Sequence, residues 1–469
     1  MNIRLILALW VARLTMFMVR ITGQGKGSAL PGRLALKICP NILKLLGQKI
    51  SGKIIIVTGT NGKTTTNNMI ANILGKAGYA VVVNREGANL ITGVTTALIQ
   101  SATIWGKMQG EIASLEVDEA SFPKVVRNIT PQVVVVTNFF RDQLDRYGEL
   151  DKTVSLVGEA LHKLDDVTLI LNADDPLVAQ LAKTTGKPAV FYGLHRHQGV
   201  NHMGSAVREA KYCPICGEKL QYAYYHYSQL GEYHCPGCDF ARPQPDLEGV
   251  QPVVEMAGIS CDVRFHHGGK HRLRLPVNGF YNLYNGLAAW STGLLLEIKQ
   301  ETMEGALASY QPATGRMERL AYQDKPVLLN LVKNPTGFNE GLHTLLSVSA
   351  NKVCVCIAIH DNDADGRDIS WLWDVDFEEL LQIQDRVTKY VCTGLRAWEM
   401  AVRLKYAGLP FELIVVEEDM AKAVQKSLYE SADMFYFLST YTALWPMERI
   451  LGTYAKKEQT LSANLSSLS

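Results

Sequence analysis

The sequence predicts an α/β protein with two α/β domains, the first of which carries a small inserted cysteine module. Short apolar runs, hydrophobic on both faces, alternate with helix-sized intervals, as in a buried parallel sheet with crossover helices. The alternation breaks near His195, residues 205–245 are rich in Tyr, His and Cys, and the alternation resumes near residue 278. The length of 469 residues is enough for about three domains.

Residues 1–50 are predicted to form an N-terminal apolar helix and a linker. Arg4, Arg13 and Arg20 interrupt the apolar stretch and no small-residue cleavage site follows, so the segment is a poor signal peptide. No stretch of the chain qualifies as a membrane span. The helix could pack on its own domain, on a partner or on a membrane surface, and the sequence leaves these alternatives open. A turn-rich linker is expected over residues 22–32.

Residues 51–318 are predicted to form a central α/β domain around a parallel sheet. Its expected strands are residues 53–58, 80–83, 112–117, 132–137 and 168–172. Apolar residues recur at helical spacing after the first strand, and Gly78 ends that helix. An Asn-rich helix is expected over residues 278–298.

Residues 319–455 are predicted to form a C-terminal Rossmann-like α/β domain. Its expected strands are residues 327–332, 352–359, 386–393 and 411–416, each followed by a helical stretch. Residues 456–469 are assigned to a tail, and its Ser- and Leu-rich end, TLSANLSSLS, is expected to fray.

A glycine-rich turn between the first strand and its helix is a candidate nucleotide site. The run from Thr58 to Thr65 is TGTNGKTT. Glycines let backbone N–H groups turn toward phosphate oxygens, and the helix N-terminus adds a positive dipole. Lys63 would reach the β- and γ-phosphates and the Thr64 hydroxyl would hold magnesium; the alternative is a plain turn. The other predicted cofactor-binding residues of the loop are Gly59, Thr60, Asn61, Gly62 and Thr65.

Four of the nine cysteines predict a structural zinc site. They form the pattern C-x2-C-x18-C-x2-C: Cys213, Cys216, Cys235 and Cys238. Two residues between cysteines let both sulfurs of a turn reach one tetrahedral ion, the longer interval closes as a hairpin, and thiolates select zinc. The module, residues 205–245, is aromatic rather than basic, which argues against nucleic-acid binding. The remaining cysteines are expected in the core: Cys39, Cys261, Cys354, Cys356 and Cys392.

Several further segments occur in a fixed order and indicate a family. The run TGTNGKTTT resembles the ATP loop of the Mur ligase superfamily, whose members activate a carboxylate as an acyl phosphate and then couple an amine. Glu116 in LEVDEAS resembles the family's magnesium-binding glutamate. Further matches are Asn138 and Asp142 in TNFFRDQLD, Asn172 and Asp174 in NADDP, Asn282 and Asn285 in YNLYNGLAA, and Arg316 in GRME. Each match alone has a plain alternative, such as a surface carboxylate, a turn, a packing network or a solvated arginine.

Two departures from the family pattern bear on the metal. Gln143 occupies the place of a magnesium-binding histidine, and the lysine that the family modifies to a carbamate has no counterpart in register. The resemblance therefore implies ATP with one magnesium ion, held by Thr64 and Glu116, and Lys63 and Glu116 as catalytic residues.

The short N-terminus and the inserted cysteine module, a four-cysteine zinc ribbon, indicate which branch of the superfamily the chain resembles. Fewer than sixty residues precede the ATP loop, too few for the UDP-sugar domain with which ordinary Mur ligases begin. Together with the segments NLVKNPTGFNEGL and HDNDADGRDISWLWDVDFE, these features resemble the synthetase subunits of lipid II isoglutaminyl synthases. The resemblance implies a carbon–nitrogen ligase of peptidoglycan synthesis. It would phosphorylate the α-carboxylate of D-glutamate in lipid II and then add ammonia, giving D-isoglutamine.

The resemblance also implies a partner and a location. By the resemblance, a GatD-type glutaminase subunit would supply the ammonia. The residues agree with this, since no cysteine of this chain lies in a G-x-C-x-G nucleophile turn beside a candidate base. The protein is expected in the cytoplasm, near the inner face of the membrane that holds its lipid II substrate.

An acidic loop in the second domain has three interpretations. Asp361, Asp363, Asp365 and Gly366 fit a calcium-loop pattern, but Leu372 stands where its last glutamate is due. The family resemblance instead makes Asp368 a catalytic residue that orients the glutaminase histidine across the interface. A helix cap or an internal arginine pair is the third possibility. Asn334 in VKNP resembles a family loop that holds the acceptor.

Two other functions are kept as alternatives. One is a folylpolyglutamate-synthase-like ligase that adds an amino acid, and the other is a nucleotide-gated binding module whose ribbon contacts a partner. The 47 basic and 46 acidic residues give a net charge of +1, which argues against a broad basic surface for nucleic acid.

Overall fold

The computed structural model of the protein describes residues 2–22, 29–84, 88–141, 150–196, 209–255, 258–265, 270–312, 317–348 and 350–457. These residues form two compact units, one ending at Gln311 and one beginning at Pro312. The division falls a few residues before the boundary expected at residue 318. Each unit has an α/β architecture, as the sequence predicts.

The first unit alternates strands and helices over most of its length. Its helices are α1 (Ile3–Thr22), α2 (Leu30–Ile38), α3 (Ile42–Gly47), α4 (Lys63–Lys76), α5 (Ile91–Gln100), α6 (Phe122–Val126), α7 (Leu150–His162), α8 (Pro176–Thr185), α9 (Tyr281–Leu295) and α10 (Gln300–Ala308). Its strands are β1 (Ile54–Thr58), β2 (Val81–Val83), β3 (Ile112–Glu116), β4 (Val133–Val136), β5 (Thr168–Asn172), β6 (Ala189–Leu194), β7 (Gln221–Tyr227), β8 (Leu230–His234), β9 (Leu247–Glu255), β10 (Gly258–Phe265) and β11 (Lys270–Leu275).

Nine of these strands form one sheet in the order β11-β10-β9-β6-β5-β4-β1-β3-β2. In the sheet order, the seven strands β9, β6, β5, β4, β1, β3 and β2 pair in parallel. Strands β10 and β11 pair antiparallel at the edge next to β9. Every residue of β1 is buried, and successive side chains enter the cores on opposite faces of the sheet. Because β1, β3 and β4 are parallel, their carboxyl ends lie on the same side of the sheet. Ligands bind beyond the carboxyl ends of the strands in open α/β sheets.

The five predicted strands of this domain correspond to β1 to β5, whereas β6 and β9 to β11 were not predicted. β11 alternates basic and apolar residues (KHRLRL), which is typical of a strand at an exposed sheet edge. A search for continuous apolar runs does not detect such a strand. The separate antiparallel pair β7–β8 is the hairpin expected between the two cysteine pairs.

The N-terminal helices pack into the first unit. Leu5 and Leu9 of α1 are buried in the same core as Val94 and Leu98 of α5. A Cβ atom at Gly32 would collide with the Thr92 carbonyl oxygen, so glycine allows α2 and α5 to approach closely. The expectation of a linker over residues 22–32 is wrong at its end, because Pro31 and Gly32 lie in the first turn of α2. Within the described part of the chain, no helix has the length and apolarity needed to cross a membrane.

The second unit contains a seven-stranded sheet in the order β16-β15-β14-β17-β13-β12-β18. Its strands are β12 (Glu318–Tyr322), β13 (Lys325–Leu331), β14 (Val353–Ala358), β15 (Val387–Thr393), β16 (Ile414–Val416), β17 (Met434–Ser439) and β18 (Lys456–Lys457). Its α-helices are α11 (Pro335–Ser347), α12 (Ala397–Tyr406), α13 (Met420–Leu428) and α14 (Tyr441–Tyr454). The central pairs are parallel and those of β12 are antiparallel.

Two expectations for the second unit need correction. β14 is followed by 3-10 segments, Ser370–Asp374 and Phe377–Arg386, instead of an α-helix. The strand expected over residues 411–416 begins only at Ile414, because Phe411–Leu413 is a 3-10 turn.

A histidine joins α11 to the second of these 3-10 segments. His343 Nδ1 lies 3.2 Å from Glu340 Oε1, and its Nε2 lies 3.1 Å from Glu379 Oε2. Burial disfavours the charged imidazole, but the hydrogen bonds to both carboxylates outweigh it and raise the pKa of His343 to about 10. The histidine is therefore a cation between two glutamate side chains.

Candidate functional site

The candidate nucleotide site lies where β1 ends and α4 begins. Gly59 and Gly62 adopt φ angles of +112° and +83°, which favour glycine. A Cβ atom at Gly62 would also collide with Asn285 Oδ1. The resulting strand–turn–helix geometry presents a helix N-terminus to an anion, as phosphate binding requires.

Lys63 is buried at the start of α4 and has partners within the site. Its Nζ donates to the Gly59 carbonyl, lies 3.1 Å from the Thr60 carbonyl oxygen, and lies 3.1 Å from Glu119 Oε2. Both side chains of the ion pair are less than a tenth exposed. An incoming phosphate would compete with Glu119 for this cation.

The predicted magnesium ligands Thr64 and Glu116 lie together. Thr64 Oγ1 donates to Glu116 Oε2 at 2.8 Å, and Asn89 Nδ2 donates to Glu116 Oε1 at 3.2 Å. Asn84 fixes the backbone, since its amide exchanges two hydrogen bonds with the Glu116 N–H and carbonyl. A buried carboxylate beside a hydroxyl is an oxygen-donor set that suits magnesium.

Asn138 holds the phosphate loop from the neighbouring strand. Its Oδ1 accepts from the Asn61 N–H at 2.8 Å, and its Nδ2 donates to the Asn61 carbonyl at 3.1 Å. The Thr60 N–H donates to the Asn138 carbonyl at 2.8 Å. These bonds give Asn138 a role in shaping the loop; its contact with a nucleotide stays a prediction.

Asn282 and Asn285 form a packing network between α9 and α4. Thr66 Oγ1 donates to Asn285 Oδ1 at 3.2 Å, and Asn285 Nδ2 donates to Asn282 Oδ1 at 3.0 Å. Thr65 is buried in the same helix as Thr66. The asparagines thus lie against the helix that carries Lys63, and their contacts match the packing alternative.

Asp174 has a full set of protein partners. Its Oδ1 accepts from Arg242 Nε at 2.6 Å, and its Oδ2 accepts from the Leu194 N–H at 2.9 Å and from Tyr284 OH at 2.7 Å. The residue is completely buried. Asp174 therefore ties three segments of the first unit together, and a nucleotide contact through Asp174 or Asn172 stays a prediction.

Asp175 begins α8 and joins it to the segment after β4. Its Oδ1 accepts from the Leu177 N–H at 3.0 Å and its Oδ2 from the Phe139 N–H at 2.9 Å. Burial raises the pKa of Asp175 to about 7, although these donors oppose the shift. Three of the motif residues, Asp142, Gln143 and Arg316, lie outside the described residues.

The four cysteines of the module converge. Their sulfur atoms all lie within 4.8 Å of one another, with 3.4 Å between Cys216 and Cys235 and 3.7 Å between Cys213 and Cys238. Zinc–sulfur bonds of about 2.3 Å in a tetrahedron would separate the sulfurs by about 3.8 Å. The residues therefore fit a zinc ion, and the described residues contain no second group of three or more potential ligands. The five other cysteines are buried, as predicted.

The hairpin of the cysteine module rests on the nucleotide side of the first unit. At its tip, Gln229 Nε2 donates to the Phe139 carbonyl at 2.6 Å, and the Gly231 N–H donates to the Asp174 carbonyl at 2.9 Å. Phe139 directly follows Asn138, which holds the phosphate loop. The two candidate sites are thus joined by a short chain of hydrogen bonds.

The acidic loop of the second unit does not form a cation cage. Asp361 pairs with Arg396 at 2.6 Å, Asp363 with Arg367 at 2.8 Å, and Asp365 accepts from the Thr442 N–H at 2.8 Å. The Arg396 guanidinium lowers the pKa of Asp361. Each carboxylate has its own partner, and among the described residues these carboxylates do not form a group that could hold a metal ion, which argues against the calcium interpretation.

Asp368 and Asn334 each accept a hydrogen bond from a backbone N–H two or three residues later in the chain. Asp368 is exposed and its Oδ1 accepts from the Ser370 N–H at 2.8 Å, which lowers its pKa and keeps it anionic. Asn334 Oδ1 accepts from the Gly337 N–H at 2.8 Å and begins α11. The carboxylate of Asp368 is exposed, and its role toward a partner stays a prediction.

Sequence reasoning missed Glu119, Asn84 and Asn89. Glu119 lies three residues after Glu116 in the quoted segment LEVDEAS, and Asn84 directly follows β2. Because β2 and β3 are parallel neighbours, polar residues after both strands lie at the same sheet edge. The order of the strands in the sheet, which the apolar runs of the sequence do not give, brings these residues together.

Comparisons with known proteins agree with this geometry. Residues 57–233 match the model of the Mur ligase middle domain, and residues 331–444 match that of the MurT ligase C-terminal domain. The solved structure of a pseudomurein peptide ligase type C from Methanothermus fervidus superposes with a TM-score of 0.65 at 21% identity, covering 87% of this chain and 80% of that one. This likeness supports the Mur-ligase-like α/β fold.

Two curated relatives match along nearly the whole chain. The lipid II isoglutaminyl synthase (glutamine-hydrolyzing) subunit MurT of Staphylococcus aureus (strain COL) is 36% identical over 94% of this chain and 96% of its own length. Its namesake from Streptococcus pneumoniae (strain ATCC BAA-255 / R6) is 32% identical over 97% of this chain and 98% of its own. With similarity of this extent, the chain belongs to the MurT family of Mur ligases.

Proposed function

We propose that this chain is the synthetase subunit of a lipid II isoglutaminyl synthase. It converts the α-carboxylate of D-glutamate in lipid II into the amide of D-isoglutamine, at the expense of ATP. The observation that carries the proposal is the phosphate loop with Lys63, Thr64 and Glu116 in a chain that matches MurT proteins along nearly its whole length. The reaction belongs to peptidoglycan synthesis in the cytoplasm.

The reaction has two chemical steps. The substrate carboxylate oxygen attacks the γ-phosphorus of ATP, and the bond from that phosphorus to the β,γ-bridging oxygen breaks. The products of this step are ADP and an acyl phosphate. Ammonia then attacks the acyl carbon, loses a proton and expels inorganic phosphate. Phosphorylation is needed because a free carboxylate oxygen is a poor leaving group.

The side chains of the first unit supply positioning and charge. Lys63 moves from Glu119 to the β- and γ-phosphate oxygens and stabilises the charge that develops during transfer. Gly59 to Thr65 surround the phosphates with backbone N–H groups. Thr64 and Glu116 would hold a magnesium ion, which neutralises phosphate charge when bound. The described residues support one such ion.

The cysteine module has a structural role in this proposal. Four thiolates would fill the coordination shell of zinc and leave no position for substrate. The ion would hold the hairpin whose tip donates to the Phe139 carbonyl. The ribbon thereby supports the segment that carries Asn138.

Ammonia comes from a separate glutaminase subunit of the GatD type. Asp368 is exposed and anionic in the second unit, so its carboxylate is available to orient a histidine of that partner. This assignment makes Asp368 specific for glutamine-dependent activity, and ammonium would bypass it.

The test is amidation of lipid II by the purified chain with ATP, magnesium and ammonium. We expect ADP release that depends on lipid II, and a product whose mass reflects replacement of OH by NH2. Absence of the amide with lipid-independent ADP release would make the proposal wrong.

A second experiment tests the glutaminase link in the two-subunit complex. With glutamine as donor, Asp368→Asn should reduce amidation at least about tenfold, whereas with ammonium the rate should stay within about twofold of wild type. Asp363→Asn is the matched control, since it alters an exposed aspartate of the same loop. Equal losses with both nitrogen donors would remove the role of Asp368.

A further inference from the structure

The first helix has two apolar faces, and among the described residues one face is buried and the other is exposed. Leu5, Ala8, Leu9 and Ala12 are at most 5% exposed and belong to the core of the first unit. The opposite face carries large apolar side chains that are 52–81% exposed, and we define them as the exposed stripe: Ile3, Leu7, Trp10, Leu14, Phe17, Met18 and Ile21. A monomeric protein rarely exposes a continuous apolar surface of this size without a use for it.

The spacing of the stripe makes it continuous. At 3.6 residues per turn, positions that recur every three or four residues lie above one another. The stripe therefore follows one side of α1 from Ile3 to Ile21, nearly the whole helix. On the same helical geometry Arg4 lies beyond one edge of the stripe and Arg13 beyond the other.

The charge of the N-terminal region is strongly one-sided. Residues 1–85 contain no Asp or Glu, and residues 1–50 contain eight basic residues: Arg4, Arg13, Arg20, Lys26, Arg33, Lys37, Lys44 and Lys49. The whole chain has a net charge of +1, so the first 50 residues carry +8 and the rest carries −7. Among the described basic side chains of this segment, the exposed ones are those of Arg4, Arg33, Lys37, Lys44 and Lys49.

A second exposed tryptophan lies in a loop against α1. Trp105 is 60% exposed. Its neighbour Gly106 lies against Leu5 and Leu9, and Arg13 donates to the Ala102 carbonyl in the same loop. Tryptophan is enriched at the boundary between membrane and water, where its amphipathic ring is favoured. Trp10 thus adds an interfacial signal to the stripe, and Trp105 is exposed in the loop that contacts α1.

We propose that α1 is a peripheral membrane-binding helix whose exposed stripe inserts into an anionic phospholipid surface. Apolar side chains flanked by cations are the composition of helices that lie in the plane of such a surface. Because the inner face of α1 is packed against its own unit, the helix lies on the bilayer and does not cross it. A second copy of the chain is a poorer occupant, since two regions of charge +8 would repel each other.

The inference extends the proposed function, on which its biological purpose rests, but its evidence is independent of catalysis. A lipid-linked substrate is confined to the bilayer, so attachment raises the frequency of encounters between enzyme and substrate. The helix would therefore raise the rate at which the enzyme meets its substrate, and it would not change the chemical steps at the phosphate loop.

The test is sedimentation of the full chain with large unilamellar vesicles. We expect binding to vesicles of phosphatidylglycerol and phosphatidylcholine, and at least about tenfold weaker binding to phosphatidylcholine alone or at high salt. Combined Leu14→Ser, Phe17→Ser and Ile21→Ser should weaken binding to the anionic vesicles at least about tenfold. All three positions are exposed, so the melting temperature should be unchanged.

A matched control alters apolar residues of similar exposure elsewhere. Leu395, Phe411 and Tyr429 are 60–73% exposed in the second unit, and their joint replacement by Ser should leave vesicle binding intact. Equal vesicle binding by wild type and the stripe variant would overturn the proposal. Loss of self-association or of a bound second subunit, with vesicle binding unchanged, would make the stripe a protein interface and also overturn it.

Activity on two substrates separates this proposal from the catalytic one. The stripe variant should amidate a water-soluble, lipid-free analogue at the wild-type rate but should be slower on lipid II embedded in anionic vesicles. If the wild type amidates neither substrate, the proposed function fails while vesicle binding still decides the role of α1. Equal rates for variant and wild type on embedded lipid II would show that the stripe does not serve catalysis at the membrane.

Discussion

The phosphate loop and the cysteine cluster are two candidate binding sites of one unit, and their side chains are held in different ways. Lys63 and Thr64 already have protein partners, Glu119 and Glu116, that a nucleotide and its metal would have to share or replace. The four sulfurs have one another as near neighbours at the spacing that zinc requires. The comparison indicates that a nucleotide would have to exchange interactions at its site, whereas a metal ion would complete a prearranged one.

This difference has an energetic consequence. Exchange of one ion pair for another contributes a modest net free energy, so the nucleotide can bind and leave in every turnover. Binding at a thiolate cluster contributes directly to folding, because the unfolded chain has no such site. We therefore expect variants of the loop to affect rate, and variants of the cluster to affect stability and metal content.

The largest expected effect is that of Lys63→Ala. Loss of the cation should reduce ammonium-dependent amidation at least about 100-fold, because the charge on the transferring phosphoryl group loses a partner. ADP release in the presence of lipid II is the measurement. Lys76→Ala, at the exposed end of the same helix, is the control and should be active.

The Lys63 result also tests the idea of exchange. Glu119→Gln removes the competing charge while retaining a side chain of the same size. If Glu119 only occupies Lys63 before the nucleotide binds, this variant should have an ATP KM equal to or below that of the wild type. A loss of kcat as large as that of Lys63→Ala would show that Glu119 takes part in the reaction and would contradict the comparison.

The next effect concerns the cluster. Combined Cys213→Ser and Cys235→Ser should reduce zinc from about one ion per chain to nearly none and should lower the melting temperature by several degrees. Metal analysis and thermal unfolding measure the two changes. Cys39→Ala changes a cysteine far from the module in sequence and should leave zinc content unaffected. Unchanged zinc in the double variant would refute the assignment.

The smallest effect tests the connection between the two sites. Gln229→Ala removes the donor to the Phe139 carbonyl and leaves that buried oxygen unpaired, at a cost of about 1–3 kcal/mol. Because Asn138 adjoins Phe139, we expect a few-fold higher KM for ATP with little change in zinc content. Gln221→Ala, exposed on the same hairpin, should leave the KM unaltered. Identical KM values for all three proteins would show that the sites are independent.

The local features of both sites were predictable because they depend on short stretches of chain. The strand, glycine turn and helix around Lys63 are contiguous, and each cysteine pair occupies a single turn. The partners were not predictable in the same way. Glu119 meets Lys63, and Gln229 meets Phe139, only through the order of strands in the sheet and the docking of the hairpin.

Fold prediction failed where apolar runs and turn residues are ambiguous. β17 (MFYFLS) is buried at every position, and such a run fits a buried helix as well as a strand. Pro31 and Gly32 look like a turn but form the first turn of α2, because proline is favoured there and the close approach of Thr92 requires glycine. In both cases packing partners far along the chain decide the outcome.

The cluster of Glu340, His343 and Glu379 makes the stability of the second unit depend on pH. With its pKa raised to about 10, His343 binds a proton in the folded state that an unfolded histidine, with a pKa of about 6.5, would release at neutral pH. Stabilisation from this histidine is complete below about pH 6.5 and disappears as the pH rises through about 10. Alkaline conditions therefore remove the cation that joins α11 to the 3-10 segment, and the two carboxylates repel each other.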